Sequence, residues 1–416
     1  MKIEIFNEIF ESLKRNKLRT LLTGFSIAWG IFILMILLAS GNGLKNGVIS
    51  NFEGSAVNTV TLEAYYTSLP YEGYASGRKI RMDKTDLALL ENAFSETDNV
   101  MPVYQLGYKE CYNKNKEISG DLLAVMPRYF AVENIKMKYG RPLNNLDIQQ
   151  KRKVIVLGNN SANLLFGKED AVGETLIIDD IMYTVVGVCF DKQLSWRVPF
   201  YLPLTTGLSV YITDDRLQEI QLTTKNLTTK QANEDFDNRL RLRFSKKYHY
   251  DSKDYTAIFI SNRLLDYLQT MSVFSALNMF LWIIGIGILV SGIVGVSNIT
   301  LITVKERTKE FGIRKALGAK PSSVIRLVIA ESLIITGFFG YIGLLAGMIV
   351  TEIVSKTIDS MDRTGSIDMV IFQDATIDFG IAASATVVMI MAGLLAGYFP
   401  ARKAVAIKPI EALRYE

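Results

Sequence analysis

The residues able to do acid–base, nucleophilic or metal chemistry are few and scattered. One histidine, His249, and two cysteines, Cys111 and Cys189, are all that 416 residues provide. Neither cysteine belongs to a CxxC pair, so a zinc site is not expected. A lone histidine cannot furnish a His-rich metal site, and no Ser/His/Asp arrangement stands out around it. No G-x-x-x-x-G-K-[ST] loop occurs to cradle phosphates, so these residues are not expected to hydrolyse ATP. The dense chemistry lies in one run, Lys305-Glu306-Arg307-Thr308-Lys309-Glu310-Phe311-Gly312-Ile313-Arg314-Lys315-Ala316-Leu317-Gly318-Ala319-Lys320-Pro321. Glu310 and Arg314 stand four apart in the favourable order. Gly318 can end one helix in a left-handed cap, and Pro321 can begin the next. The run predicts a short charged helix with an apolar edge of Phe311, Ile313 and Leu317. Such a helix offers a docking surface; a positively charged loop that only fixes orientation is the plainer reading, and both are open.

Three further groups qualify as candidates. Glu331 interrupts an apolar run, and a charge at the centre of a membrane helix costs ~2.5–3.5 kcal/mol. Because residues 333–350 nearly suffice to span, Glu331 reads as an anchor at the inner interface, with a proton or substrate site as the rival. Gly343 and Gly347, and Gly393 and Gly397, are small residues four apart that let helices approach closely; packing within the chain and a dimer contact both suit them. Cys111 and Cys189 are either a disulfide or two free thiols, since the separation of their Cα atoms is not legible in sequence.

The elements that must position these residues are set by hydropathy. The chain is 49% hydrophobic and 21% charged, with a mean hydropathy of +0.20. That is too apolar for an ordinary soluble protein and too charged for one wholly in lipid. The net charge of +4 gives no sign of a nucleic-acid partner. Four stretches are long and apolar enough to span a bilayer: 21–38 within a span set at 18–41, then 274–304, 324–350 and 377–399. The second is longer than a bilayer needs and predicts a stalk.

Basic residues crowd the start of the first span (Lys14, Arg15, Lys17, Arg19), the 305–323 connection and the 400–416 tail, whereas 351–376 is acidic. Basic loops stay in the cytoplasm. Both termini and the 305–323 connection are therefore expected inside, with 42–273 and the 351–376 loop outside. The first apolar run exceeds a signal-peptide core and reads as an uncleaved anchor. Before it, Phe6, Ile9, Phe10 and Leu13 recur at helical spacing, predicting an amphipathic helix over 1–17 on the inner face.

The 42–273 region reads as mixed α and β. Val154–Gly158 is a buried-strand pattern followed by a short helix at Asn159–Phe166. Residues 175–178 and 181–188 flank Asp179-Asp180 as a hairpin, although Asp-Asp is a weaker turn than Asn-Gly. Residues 65–79, rich in Tyr, Gly and Ser, read as a loop. Between 208 and 243 a strand-like stretch gives way to a polar helix.

Several of these segments resemble the MacB/FtsX-type ABC permeases. The resemblance rests on Val294-Gly295-Val296-Ser297-Asn298-Ile299 with the 306–319 run, on Asn16-Lys17-Leu18-Arg19-Thr20-Leu21-Leu22-Thr23, and on Gly397-Tyr398-Phe399-Pro400-Ala401-Arg402-Lys403-Ala404 with Pro409-Ile410-Glu411-Ala412-Leu413. Arg128-Tyr129-Phe130, Gly140-Arg141, Val154–Gly158, Leu165-Phe166-Gly167, Val172-Gly173 and residues 185–188 are similar to a MacB-type periplasmic domain. It implies an α-helical membrane protein of about four transmembrane helices, with an α+β extracytoplasmic domain between the first and second. It also implies that 305–323 is a coupling helix docking into a separate ABC ATPase subunit, where ATP and magnesium act; this chain itself is expected to bind no cofactor. A second permease copy or a similar permease, in a bacterial inner membrane, completes the implied assembly. A periplasmic adaptor and outer-membrane channel would join it for efflux. Lipoprotein release, and FtsX-like regulation of a cell-wall hydrolase, are the rival functions.

Overall fold

The computed structural model describes residues 17–53, 56–114, 116–190, 199–212, 216–318, 320–363 and 379–406. The expected amphipathic helix before residue 17, most of the acidic loop and the tail beyond 406 lie outside the described residues. The chain divides into two compact units: Ile49–Ser272, and the residues on either side of it.

The Ile49–Ser272 unit is α/β. After helix α1 (Lys17–Glu53) come β1 (Thr59–Ala64), α2 (Lys84–Ala93), β2 (Thr97–Asn113), β3 (Lys116–Val125), α3 (Tyr129–Val132), β4 (Met137–Gly140) and α4 (Asn145–Gln149). Then follow β5 (Val154–Gly158), α5 (Asn159–Phe166), β6 (Thr175–Ile178), β7 (Ile181–Cys189), β8 (Pro199–Pro203) and α6 (Leu204–Tyr211). β9 (Glu219–Thr224), α7 (Lys230–Tyr248) and β10 (Ile258–Asn262) complete it. The strand order is β10-β1-β9-β2-β3-β8-β5-β7-β4, with β6 hydrogen-bonded to β2 and β7.

β2 joins two halves. Its first part, Thr97 to Val103, pairs with β9, and its second, Tyr104 to Asn113, pairs with β3. The register shifts between Gln105 and Tyr108, where Gly107 adopts φ +87°. A bulge there bends the strand and re-aims its side chains. One apolar core (Val60, Leu62, Tyr104, Ile220, Leu222, Phe236, Phe244) serves the β1/β9 half. A second (Cys111, Ile155, Leu157, Leu176, Tyr183, Phe200) and a third (Val103, Val125, Phe130, Cys189, Tyr201) serve the β5/β7 half.

Local readings fare differently. β5 and α5 coincide with the predicted strand and helix. The hairpin forms, and both turn residues, Asp179 and Asp180, take positive φ (47° and 62°), as a tight hairpin turn requires. The strand-then-polar-helix reading between 208 and 243 is met by β9 and α7 and is corrected only at its start: Leu204–Tyr211 is helical. Its Gly207 lies so close to β3 that a Cβ would fall 2.3 Å from Ala124 Cβ. Tertiary approach decides such short apolar runs, not their pattern.

The other unit holds α1, α8 (Arg263–Glu306), α9 (Thr308–Ala316), α10 (Pro321–Arg363) and α11 (Phe379–Ala406), with α1 and α8 each contributing residues to both units. Among the described residues, four helices are long and apolar enough to cross a membrane, with candidate spans Thr20–Ser50, Arg263–Glu306, Pro321–Ile358 and Gly380–Val405. The protein is thus a four-span α-helical membrane protein with an α/β domain between the first and second spans. Helix α8 has 44 residues, or ~66 Å at 1.5 Å per residue. Its first turn is capped by Asn262, whose Oδ1 accepts from Leu265 N at 3.2 Å. The start of the acidic loop is corrected as well: α10 continues to Arg363, with Lys356 and Glu352 paired at 2.9 Å on its surface. An exposed charge four residues from its opposite does not end a helix.

Candidate functional site

The charged run between the second and third spans folds as one short helix, α9, with a tight turn on each side. Gly318 takes φ +88°, and its N–H donates to Lys315 O at 3.0 Å. Pro321 then opens α10. Left-handed φ costs a side chain ~1–2 kcal/mol, so glycine suits this stop.

One face of α9 is built into the protein. Phe311 is 1% exposed and packs with Val304 of α8, Val324, Leu327 and Val328 of α10, and Ala401 and Ala404 of α11. Gly312 beside it is buried. Lys315 Nζ donates to Val405 O. Thr308 Oγ1 donates to Lys305 O at 2.6 Å, closing the turn out of α8. Arg307 stands between two carboxylates, 3.7 Å from Glu310 and 3.6 Å from Glu331. Glu310 accepts from Arg314 at 2.8 Å.

The other face is open. Ile313 is 44% and Leu317 83% exposed, and Glu306 and Lys309 are exposed beside them. The expected single apolar edge of Phe311, Ile313 and Leu317 is corrected. At 100° per residue, Ile313 lies about 200° round from Phe311, and Leu317 repeats Ile313 one turn later. The helix therefore has a buried apolar root and a separate exposed apolar ridge, flanked by charge.

Glu331 is 8% exposed and sits where α10 passes α9, in contact with Arg307. Sequence reasoning singled out both residues but missed their meeting. The signal was the tight Gly318–Pro321 turn, which folds α10 back past α9. The four glycines lie at contacts inside the chain: Gly343 against Ala28, Gly347 against Met35, Gly393 against Thr336, and Gly397 against Ser332 and Ile329. At Gly343 a Cβ would fall 2.3 Å from the backbone oxygen of Ala28, so only glycine permits this approach of α10 to α1.

The other candidates take no part. Cys111 and Cys189 are both free thiols, buried in different cores, and the disulfide reading is corrected. Each is enclosed by strand neighbours that fix it apart from the other. Burial pushes the Cys111 thiol up to about 12, and Cys189 Sγ donates to Leu157 O at 3.6 Å. His249 ends α7 in a left-handed conformation, φ 50°.

A family model described as the MacB-like periplasmic core domain matches residues 20–239, and one described as the FtsX-like permease C-terminal matches 282–409. A probable export ATP-binding/permease protein of Pseudomonas fluorescens is 27% identical over 99% of this chain and 60% of its own length. The macrolide export ATP-binding/permease protein MacB of Wolinella succinogenes is 28% identical, over 100% of this chain and 61% of its own length. A probable syringafactin export ATP-binding/permease protein of Pseudomonas syringae pv. tomato is 28% identical, over 99% and 58%. The chain thus spans about 60% of the length of these curated relatives. Among solved structures, the periplasmic region of MacB from Actinobacillus actinomycetemcomitans superposes with a TM-score of 0.41 at 22% identity, over 54% of this chain and 96% of that one. With the periplasmic-core match alone covering more than half of the residues, the chain belongs to the MacB/FtsX-type ABC transporter permeases.

Proposed function

We propose that this chain is the membrane-spanning, non-ATPase subunit of a MacB-like exporter, and that α9 is where ATP-driven motion enters it. The observation that carries this reading is the two-faced character of α9. Its root is held by α8, α10 and α11 through Phe311, while Ile313 and Leu317 leave an apolar ridge uncovered beside charged residues. A ridge of that kind is costly to leave in water and suits a cleft in a partner protein. The partner we assign is a separate ABC ATPase subunit, which binds ATP and magnesium. The basic residues of the 305–323 connection support a cytoplasmic α9 and cytoplasmic termini, with the Ile49–Ser272 unit extracytoplasmic. A second permease copy completes the assembly. Export is the direction named for the relatives, and we extend it to this chain; the cargo follows from the partners with which it works.

Motion of α9 passes to α8 through the Thr308 turn and to α10 through Arg307 and Glu331. Helix α8, which contributes to both units, then carries it to the α/β domain.

The test is recovery of the cognate ATPase on the tagged full-length chain. Leu317→Asp puts a charge on the ridge without touching the buried root, and Arg314→Glu reverses the charge beside it. Each should weaken ATPase binding roughly thirtyfold, or ~2 kcal/mol, while Lys356→Glu on α10 leaves it unchanged. Full recovery with both α9 variants would remove the docking role.

A further inference from the structure

The junction of β10 and α8 sends its two residues to opposite faces of the sheet. Asn262 follows the core residues Ile258 and Ile260 along β10. Its Nδ2 donates to Asn233 Oδ1 at 3.1 Å and to Asp237 Oδ1 at 3.0 Å. Arg263 turns to the other face and holds both oxygens of Glu133 at 3.2 Å. That face also carries Glu219 and Gln221 of β9, which alternate with the core residues Ile220 and Leu222. Glu63 of β1 stands directly opposite Glu219 in the ladder. Among the described residues, Glu63, Glu133 and Glu219 thus have one cation between them, Arg263. Glu219 is held by an amide, Gln105 Nε2 at 2.9 Å, and Asp237, 8% exposed, by the amide of Asn262.

We propose that this junction is a proton-sensitive joint: α8 is held firmly to the α/β domain while Glu219 and Asp237 carry protons, and less firmly once they ionise. Ionised Glu219 faces Glu63 across the ladder, where like charges are destabilising, and competes with Glu133 for Arg263. Tyr129 faces Glu133 and Glu219 as a neutral phenol that burial pushes up. Ionised Asp237 keeps the Asn262 bond and the nearby charge of Arg241, but it faces Asp266 of α8 and Glu234 of its own helix. The proton wins at both sites. Removal from water raises Glu219 to about 7, against the pull of Gln105 and Arg263 and with the push of Glu63 and Glu133. It raises Asp237 to about 6, against Asn262 and Arg241. In the unfolded chain such groups titrate at ~4.3 and ~3.9. The folded state therefore binds both protons more readily than the unfolded one. The stabilisation is complete below the unfolded values and is lost as pH rises through about 6 and about 7. The joint lies within one compact unit, so it stands whether or not α9 docks an ATPase.

The experiment is amide hydrogen exchange of residues 264–267 in the full chain in a neutral maltoside detergent, corrected for the intrinsic effect of pH. Glu219→Gln and Asp237→Asn keep the shape of the protonated side chains and never ionise. The ratio of parent to Glu219→Gln exchange should be at least about tenfold larger at pH about 8 than at pH about 5, one pKa unit being a factor of ten. Asp237→Asn should show the same trend, complete at about one pH unit lower. Glu63→Gln, which removes the opposing charge, should bring the loss to completion at lower pH than in the parent. A parent-to-Glu219→Gln ratio that does not change with pH would overturn the proposal. So would exchange that responds to pH equally in the parent and the double variant. Should Asp237→Asn fail to fold, the Glu219→Gln ratio decides alone.

Discussion

The long helix α8 begins and ends on the same device, an arginine against a buried glutamate, but the two ends are built differently. At its first residue, Arg263 lies 3.2 Å from Glu133, which is 5% exposed and also accepts from Gln221 Nε2 at 2.5 Å. Around this pair the structure is knitted closely: Ala56 N donates to Val132 O at 2.7 Å, and Phe52 packs edge-on to Tyr267 at 5.7 Å. Just past its last residue, Arg307 is 3.6 Å from Glu331 and 3.7 Å from Glu310, so it is shared by two carboxylates in an otherwise apolar cluster. The first arrangement fixes a root. The second leaves Arg307 between two carboxylates, which suits the joint proposed for α9.

Removing Glu133 should have the largest effect. Glu133→Ala leaves Arg263 and Gln221 without their shared acceptor, and breaking a buried pair from one side costs ~3–5 kcal/mol. With Arg263 about one-third exposed, ~3 kcal/mol is expected, and the melting transition of the Ile49–Ser272 unit should fall by about 6–12 °C. Calorimetry of the full chain in detergent measures it. A fall no greater than that produced by altering Glu331 would erase the distinction between the two ends.

Asp254 sharpens the comparison, because neutral donors alone hold it. It is 2% exposed and accepts from Ser68 N at 2.7 Å, Leu69 N at 2.9 Å, Ser68 Oγ at 2.8 Å and Thr256 Oγ1 at 2.7 Å. Burial alone would raise its carboxyl, but these hydrogen bonds outweigh burial and hold it down at about 2. The sign follows from linkage: the folded state binds the proton less readily than the unfolded one, whose aspartate titrates near 3.9. The stabilisation is complete above that value and is lost as pH falls from there through about 2. Asp254→Asn should cost ~2 kcal/mol at neutral pH and flatten the acid limb of the stability profile. An unchanged acid limb would show that the 65–79 loop is held by something else.

What the sequence made legible follows the range of the interactions involved. Val154–Phe166 and the Asp179-Asp180 hairpin were readable because a strand, a turn and a short helix each declare themselves within ten residues. The split of α9 was also readable in principle, since Phe311 and Ile313 cannot share a helix face. The 17-residue β2 was not. Two of its partners, β9 and β3, stand far apart in the chain, and the bulge at Gly107 that divides them has no signature beyond one glycine. Helix α10 outran its apolar stretch because hydropathy marks where a helix can meet lipid, not where its hydrogen bonds end.

Glu331 should give the smallest stability effect. Glu331→Gln preserves shape and removes charge, and Arg307 retains Glu310 within 3.7 Å. The pair is also longer than the one at the root, so a cost below that of Glu133→Ala, about 1 kcal/mol, is expected. Its functional consequence is different in kind. Phe311 still seats α9 and Ile313 and Leu317 are still exposed, so ATPase recovery should match the parent. The link from Arg307 to α10 is weakened, however, and the permease-dependent change in ATP hydrolysis should shrink when the complex is reconstituted in vesicles. Measuring recovery, melting and hydrolysis on one preparation separates the possibilities. Lost recovery would place Glu331 in docking. A melting drop as large as that of Glu133→Ala would make it a structural root like Glu133. Unchanged hydrolysis with normal recovery would leave it a membrane-interface anchor and return the whole transfer of motion to the α8–α9 turn.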